Sequence, residues 1–358
     1  MKILVLGGTG AMGIYLVNLL VSDGHTVSVT TRKQLSSNFG VNYIEGNAHD
    51  IIFLKSILSD GYDIIVDFMV YWSPAEFNDK MSLLLNSTGQ YVFLSSSRVY
   101  ACSNSPITED SPRLLDVCLD EEYLKTDEYA LAKAREENML RHSGYSNWTI
   151  IRPYITYSEM RLQLGVFEKE IWLYRALKGK TIVFSNDIAE KFTTLTYGFD
   201  VSFGIAAIIG KSEALGNVFH ITTTTPIKWE KALDIYLEVI KEKTGKNPKV
   251  LMLEKSPKTI FEISKYQILY DRLYDRTFDN AKINQFIDSK KFLKPESGLR
   301  HCLEKFIENP EFLTIDSRQQ AIMDRYTGEF SSLFDFKKMK HKIGYLAYRF
   351  FNNKWFNS

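Results

Sequence analysis

A cluster of glycines closes the first apolar run of the chain and limits what can follow it. "LVLGGTGAMGIYLVNLL" sets Gly7, Gly10 and Gly13 between a short β-branched stretch and a helical pattern. A turn that tight needs a positive φ or close approach of the backbone to a ligand, and glycine tolerates both. The unbonded N–H groups and positive dipole end of the helix then suit a pyrophosphate. Such spacing says little by itself. As the first strand-to-helix turn of an alternating chain, it marks Gly7, Thr9, Gly10, Met12 and Gly13 as a dinucleotide loop. The other reading is a glycine-rich turn without a ligand.

The alternation is present. Apolar runs "KILVLG", "TVSVTT", "VNYIEG", "DIIVDFMV", "QYVFLSSS" and "WTIIRP" are separated by helical patterns at 11–23, 51–60, 75–88 and 123–143. Continuous apolar strands between helices predict an α/β fold, a Rossmann-type doubly wound parallel sheet buried on both faces. The rhythm breaks after Pro153. A helix is expected over 164–178, then the strand "TIVFS", the helix "DVSFGIAAIIG", the strand "NVFHITT", the helix "WEKALDIYLEVIKEKTG" and the strand "KVLML". This order predicts a dinucleotide-binding domain over 1–155, to which elements near 181–221 return. A smaller mixed α/β substrate lobe over 156–310 and a helical tail over 311–358 follow.

Composition narrows the function classes. With 358 residues, 45% apolar, 24% charged and a net charge of +1, the chain has an ordinary globular make-up and no whole-molecule field for nucleic acid. Cys102, Cys118 and Cys302 form no CxxC or Cys/His cluster, and the six histidines show no metal spacing. That fits a reducing compartment without a disulfide frame or structural zinc. The opening "ILVL" run is too short for a signal-peptide core, and no stretch reaches about 18 apolar residues. The expectation is a cytoplasmic protein with a small-molecule substrate, no nucleic-acid partner and no metal.

"HTVSVTTRK" ends the second strand in Arg32 and Lys33, without Asp or Glu. An acidic residue there would hold a ribose 2′-hydroxyl, whereas Arg accommodates a 2′-phosphate. Arg32 therefore favours NADP over NAD, solvated loop cations being the alternative.

In "TDEYALAKAREE", Tyr129 and Lys133 stand four apart on a predicted helix and are neighbours. A phenol of pKa about 10 is a poor base at neutral pH, and a nearby cation stabilises the phenolate. Ser95, Ser96 and Ser97 end an apolar strand, where ligands collect in open α/β sheets. The set suits taking a proton from an alcohol while a hydride leaves its carbon for a nicotinamide. A Tyr–Lys pair alone is weak. Its weight comes from the order: glycine loop, serine strand, Tyr–Lys helix.

Taken together, "GGTGAMG" (7–13), "FLSSSRVYA" (93–101), "PITEDSP" (106–112), "YALAK" (129–133) and "TIIRPYITY" (149–157) carry a resemblance. The chain resembles an extended short-chain dehydrogenase/reductase of the NAD-dependent epimerase/dehydratase family, whose members act mostly on nucleotide sugars. The resemblance implies that Tyr129 is the catalytic acid or base and that Lys133 lowers its pKa and holds the nicotinamide ribose. It assigns the catalytic hydroxyl to Ser96, four residues before Tyr100 of the Val99-Tyr100 pair. Ser95 and Ser97 fit strand-end hydrogen bonding, with Ser97 and Arg98 also candidates for substrate contact. A homodimer is the assembly expected from the family.

Departures from the family pattern sharpen the expectation. Family dehydratases place Asp-Glu where this chain has Ser97 and Arg98, so elimination of water is disfavoured. Asn47 stands in place of the acidic residue near the adenine, as a candidate cofactor contact. "DFMV" (67–70) replaces a small-residue stretch, leaving Asp67 either near the cofactor or at a strand end. Ile155 replaces a substrate-facing Asn. The expectation is a nucleotide-sugar epimerase working through a keto intermediate. The alternatives are an NADP(H)-dependent reductase or dehydrogenase of a sugar-like substrate and a non-catalytic dinucleotide sensor or scaffold.

Three further features stay open. Arg161 suits a substrate phosphate or an ordinary salt bridge. His220, in an apolar strand pattern, reads as a satisfied core histidine. The tail 337–358 has six Lys or Arg, no Asp or Glu, and dense aromatics including Tyr345, Phe350, Trp355 and Phe356. It fits an interfacial helix on anionic lipid, or aromatics packed on the second lobe or a partner subunit with charges facing water.

Overall fold

The computed structural model describes residues 1–37, 40–256 and 264–350. The predicted strands form as β1 (Lys2–Leu6), β2 (Thr26–Thr31), β3 (Val41–Glu45), β4 (Ile64–Asp67), β5 (Gln90–Leu94), β6 (Trp148–Pro153) and β7 (Asn217–Ile221). They make one seven-stranded sheet in the order β7-β6-β5-β4-β1-β2-β3, parallel throughout. Helices α1 (Gly13–Ser22), α2 (Ile51–Leu58), α3 (Pro74–Asn86), α4 (Tyr129–Arg141) and α5 (Gly198–Ile208) accompany it.

Strand alternation divides the core in two. Ile3 and Val5 pack with Leu16 and Leu20 of α1 and Val201 and Ile205 of α5. Leu4 and Leu6 pack on the other face with Leu54 of α2 and Phe77 and Leu84 of α3. Each such burial stabilises by about 1.5–3 kcal/mol relative to exposure. Two-sided burial is why the central strands β1, β4, β5 and β6 read as apolar runs, while the edge strand β3 has no fully buried residue. The strand order reverses between β1 and β4, which opens a crevice at their carboxyl ends.

This sheet belongs to a first unit made of Met1–Ser158, Thr194–Pro226 and Arg276–Pro295. The third segment contributes Ile283 and Phe292 to the core face that holds α1. Within it the Leu293 N–H donates to Asp200 at 2.8 Å. The expected return of elements near 181–221 falls across both units, because strand Ile182–Ser185 lies in the second and Thr194–Pro226 in the first.

The second unit comprises Glu159–Thr193, Ile227–Asp275 and Glu296–Ser358. Strand Ile182–Ser185 pairs in parallel with Val250–Leu253, and helix α6 (Trp229–Thr244) places Tyr236 on Trp172 with ring centroids 4.4 Å apart. The helix expected over 164–178 is corrected. Gln163–Leu164 and Phe167–Glu168 form an antiparallel hairpin, and the helix is confined to Trp172–Leu177. Gly165, at φ 57°, allows the turn that breaks the helix.

Helices α7 (Pro295–Glu308), α8 (Ser317–Thr327) and α9 (Met339–Phe350) follow. Asp324 of α8 pairs with Arg175 at 2.7 Å and Lys180 at 2.5 Å. It also accepts hydrogen bonds from Ser331 and from Tyr345 of α9, both at 2.7 Å. Residues 351–358, with Phe351, Trp355 and Phe356, lie outside the described residues. No helix among the described residues is long and apolar enough to cross a membrane.

Candidate active site at the carboxyl ends of the sheet

The loop after β1 is built by two glycines with different jobs. Gly7 has φ 69°, and its N–H donates to Thr30 Oγ1 at 3.1 Å. Gly13 packs directly on Gly8, where an added Cβ would sit 2.5 Å from the Gly8 carbonyl oxygen. A side chain there would push α1 off the loop. At Gly10 an added Cβ would meet nothing within 4 Å. The result is a backbone cradle below the start of α1, whose cap residue Met12 has no side-chain bond to the helix's own N–H groups, its sulfur accepting instead from Thr156 at 3.6 Å. The first-turn N–H groups of such a helix suit an anion.

A cleft of about 460 Å³ surrounds the cradle, and Gly7, Thr9, Gly10, Arg32 and Asn47 all line it. Arg32 is exposed, and among the described residues no Asp or Glu lines the cleft. Met12 and Gly13 stand behind it. The Met12 carbonyl accepts from Leu16 at 3.1 Å and from Ser202 at 2.8 Å, tying the loop to α1 and α5.

The sequence reading missed His49 and Trp72, which also line this cleft. Their rings stack with centroids 4.5 Å apart and 6° between planes. Glu76 holds the pair: one oxygen lies 2.7 Å from His49 Nδ1 and 2.8 Å from Lys80, and the other accepts the Trp72 N–H at 2.8 Å. The available signal was the bulky stretch "DFMV" (67–70), which holds Asp67, together with the Tyr71 and Trp72 that continue it. Asp67 proves to be a strand-end anchor outside the cleft lining. Fully buried, it accepts from Tyr71 and Tyr91, both at 2.6 Å, and from the Met69 N–H at 2.8 Å; burial raises its pKa.

The three serines after β5 diverge. Ser95 donates to Glu137 at 2.6 Å and Ser97 to the Arg152 carbonyl at 2.8 Å. Ser97 has no exposed surface, so its expected substrate contact is corrected: the hydroxyl is spent tying two strand ends together. The Ser96 Oγ caps the short turn Ser97–Val99 by accepting the Arg98 N–H at 3.2 Å. From that turn the Arg98 guanidinium lies 5.4 Å from the centroid of the Tyr129 ring and pairs with Glu128 at 2.5 Å. Glu128 in turn caps α4 through the Ala130 N–H at 2.9 Å. Arg98 thus links Ser96 to the half-buried Tyr129 at the head of α4.

Lys133 is buried. Its ammonium lies 2.9 Å from Glu136 and 4.5 Å from the centroid of Phe93. The approach to Glu136 is outside hydrogen-bonding alignment, and the ammonium has no hydrogen-bond partner among the described residues. Burial raises the Glu136 pKa against the lowering effect of Lys133. Burial works the same way on neighbouring Glu137, but Arg152, at 2.5 Å, and Ser95 outweigh it and hold that carboxyl low. Sequence reasoning missed both carboxylates. The available signal was α4 itself, whose few apolar residues leave charged positions on a buried face.

Two other candidates lie elsewhere. Arg161 belongs to the second unit and pairs with Glu168 at 2.8 Å, the salt-bridge alternative. His220 is fully buried on β7, and its Nε2–H donates to the Asp279 carbonyl at 2.7 Å. Burial pushes its pKa down to about 4. Among the described residues no group of His, Cys, Asp or Glu is placed to hold a metal ion.

A glycine cradle at the switch point of a doubly wound parallel sheet defines a Rossmann-type dinucleotide-binding protein. The family model for the NAD dependent epimerase/dehydratase family matches residues 3–214, more than half of the chain, and the chain belongs to that family. Among solved structures it is similar to the Bordetella bronchiseptica enzyme WbmH in complex with NAD+. The TM-score is 0.65 at 15% identity, covering 87% of this chain and 99% of that one. It is also similar to UDP-glucuronic acid 4-epimerase from Bacillus cereus, in complex with UDP-glucuronic acid and NAD. There the TM-score is 0.64 at 17% identity, covering 86% and 99%. At such identities the likeness shows the fold. A curated relative, the chloroplast stem-loop binding protein of 41 kDa b of Arabidopsis thaliana, is 27% identical over 238 residues. That match spans 62% of this chain and 58% of the relative's length.

Proposed function

We propose that this chain is an NAD(P)-dependent epimerase of a nucleotide sugar or a related sugar. The observation that carries the reading is Arg98 joining Ser96 to Tyr129, at the same end of the sheet as the glycine cleft. The bare cradle at Gly10 and the Lys133 ammonium, paired with Glu136 but with its hydrogen-bond directions unused, fit a dinucleotide's pyrophosphate and ribose. When bound, such a cofactor supplies a hydride acceptor that can return the hydride. Tyr129 removes the proton of the sugar hydroxyl and later gives it back. Ser96 hydrogen-bonds the same oxygen, and Arg98, packed on the phenol ring, fixes its position. Inversion requires the keto sugar to present its other face, with Tyr129 and Ser96 still meeting its oxygen. Glu128 is committed to Arg98 and to the helix cap, so it does not serve as the acid of a dehydratase. The exposed Arg32 and the lack of a carboxylate among the described residues that line the cleft favour NADP(H).

The test is a panel of nucleotide sugars given to the purified protein. Epimer formation without net cofactor consumption supports the proposal. Stoichiometric oxidation of NADPH would make it a reductase, and tight binding without turnover a sensor. Tyr129→Phe is expected to lower kcat by about 10²–10⁴-fold.

The Arabidopsis relative is a stem-loop binding protein by name, which favours a second reading for this chain, binding of a structured RNA. The stacked His49 and the 79% exposed Trp72 offer a surface for an unpaired base. Hairpin RNA retarded by the parent, released by NADP and not retarded by Trp72→Ala would support it.

A further inference from the structure

The second unit carries a surface that owes nothing to the catalytic reading. One side of α9 is locked in place: Tyr345 is fully buried, stacks near Phe336 with centroids 5.2 Å apart and donates to Asp324. The other side is apolar and bare. Met339, Ile343 and Phe350 are 67%, 61% and 62% exposed, at a spacing that keeps them on one helix face. Phe334, 93% exposed, stands just before this helix, with the Lys342 ammonium 5.7 Å from its ring centroid.

Charge is one-sided along the same stretch. Residues 337–350 hold five Lys or Arg and no Asp or Glu. At the start of α9 a hollow of about 480 Å³ is lined by Tyr174, Phe312 and Phe336 with Lys337, Lys338 and His341, and its one carboxylate among the described residues, Asp335, is paired with Lys178 at 3.3 Å. Packing within the unit accounts for Tyr345 and Phe336. It leaves Phe334, Met339 and Ile343 in water, while Phe350 meets the half-exposed Phe330 with ring centroids 6.3 Å apart.

We infer that α9 and the turn before it dock this unit on a bilayer surface containing anionic lipid. Phe334, Met339, Ile343 and Phe350 enter the boundary between headgroups and acyl chains, and the lysines meet lipid phosphates. An interfacial helix needs this pairing of an apolar stripe with unopposed cations. A second copy of the chain would set the same cations against each other, so charge argues for lipid over self-association.

The experiment is sedimentation of the full chain with vesicles of phosphatidylcholine alone or mixed with phosphatidylglycerol. Binding to the anionic vesicles is expected to be at least ~10-fold tighter and to weaken with added salt. The double variant Phe334→Ser, Ile343→Ser is expected to lose about 10-fold in vesicle affinity while keeping the parental melting temperature. Equal binding to both vesicle types, no binding at all, or parental binding by the double variant overturns the inference. So does a dimer that the double variant converts to monomer without any vesicle binding by the parent, which would make a second copy the occupant.

Discussion

A glycine can be required by the fold or by the ligand, and the loop after β1 contains both kinds. Gly13→Ala would drive a methyl into the Gly8 carbonyl at 2.5 Å, so it should destabilise the protein by about 1–3 kcal/mol even without cofactor. Gly10→Ala places its methyl in open space. It should leave the melting temperature alone and weaken dinucleotide binding by at least about tenfold, or about 1.4 kcal/mol. Thermal melting and dinucleotide titration of both variants check the pair; equal affinity in Gly10→Ala and the parent would remove the cradle from the binding site. The glycines were legible because their spacing follows from backbone geometry. His49 and Trp72 were not, since a stack between two loops depends on a strand order that residues 49 and 72 do not themselves encode. For Ser97 the strand-end hydrogen bond was legible and the added substrate contact was not, because three consecutive serines look alike until the twist of β5 turns each toward a different partner.

Elements with a clear period were read well and elements fixed by a single residue were not. The seven strands of the sheet announced themselves as apolar runs, yet Gly165 alone split the helix expected over 164–178. The start of α4 at Tyr129 is set by the Glu128 cap, which puts the phenol on the first turn instead of within the helix. At the other end of the chain, Asp324 joins α8 to α9 and answers two cations at once. Asp324→Ala leaves Arg175 and Lys180 without their shared partner and should cost about 3–5 kcal/mol. Denaturant unfolding followed in the second unit is the measurement. A loss below about 1 kcal/mol would mean that apolar contacts around Tyr345, not the ion pairs, hold α9.

For the whole molecule, two buried groups give stability opposite slopes in acid. His220 is held neutral, its pKa pushed by burial from 6.5 to about 4, so its contribution is present above 6.5 and lost as pH falls through 4. Asp200 is raised by burial from 3.8 to about 6, so its contribution is full below 3.8 and lost as pH rises through 6. His220→Gln should therefore flatten the acid limb of a melting-temperature profile. Asp200→Asn, which keeps an acceptor for the Leu293 N–H, should raise the melting temperature above pH 6 by about 2–4 °C. Identical profiles for parent and variants would sink both assignments.

The division into units was only partly legible, because contact between distant segments leaves no local mark. Ile283 and Phe292, from the last of the three segments, complete the core beside α1. A ribosome that has delivered the glycine loop, the serines and Tyr129 has therefore not yet delivered a stable sheet. The edge strand arrives with residues 217–221 and the covering side chains only near 292. Nascent chains ending between residue 158 and residue 275 should be soft to proteases and in need of chaperones, and cofactor should protect only those that run past 295.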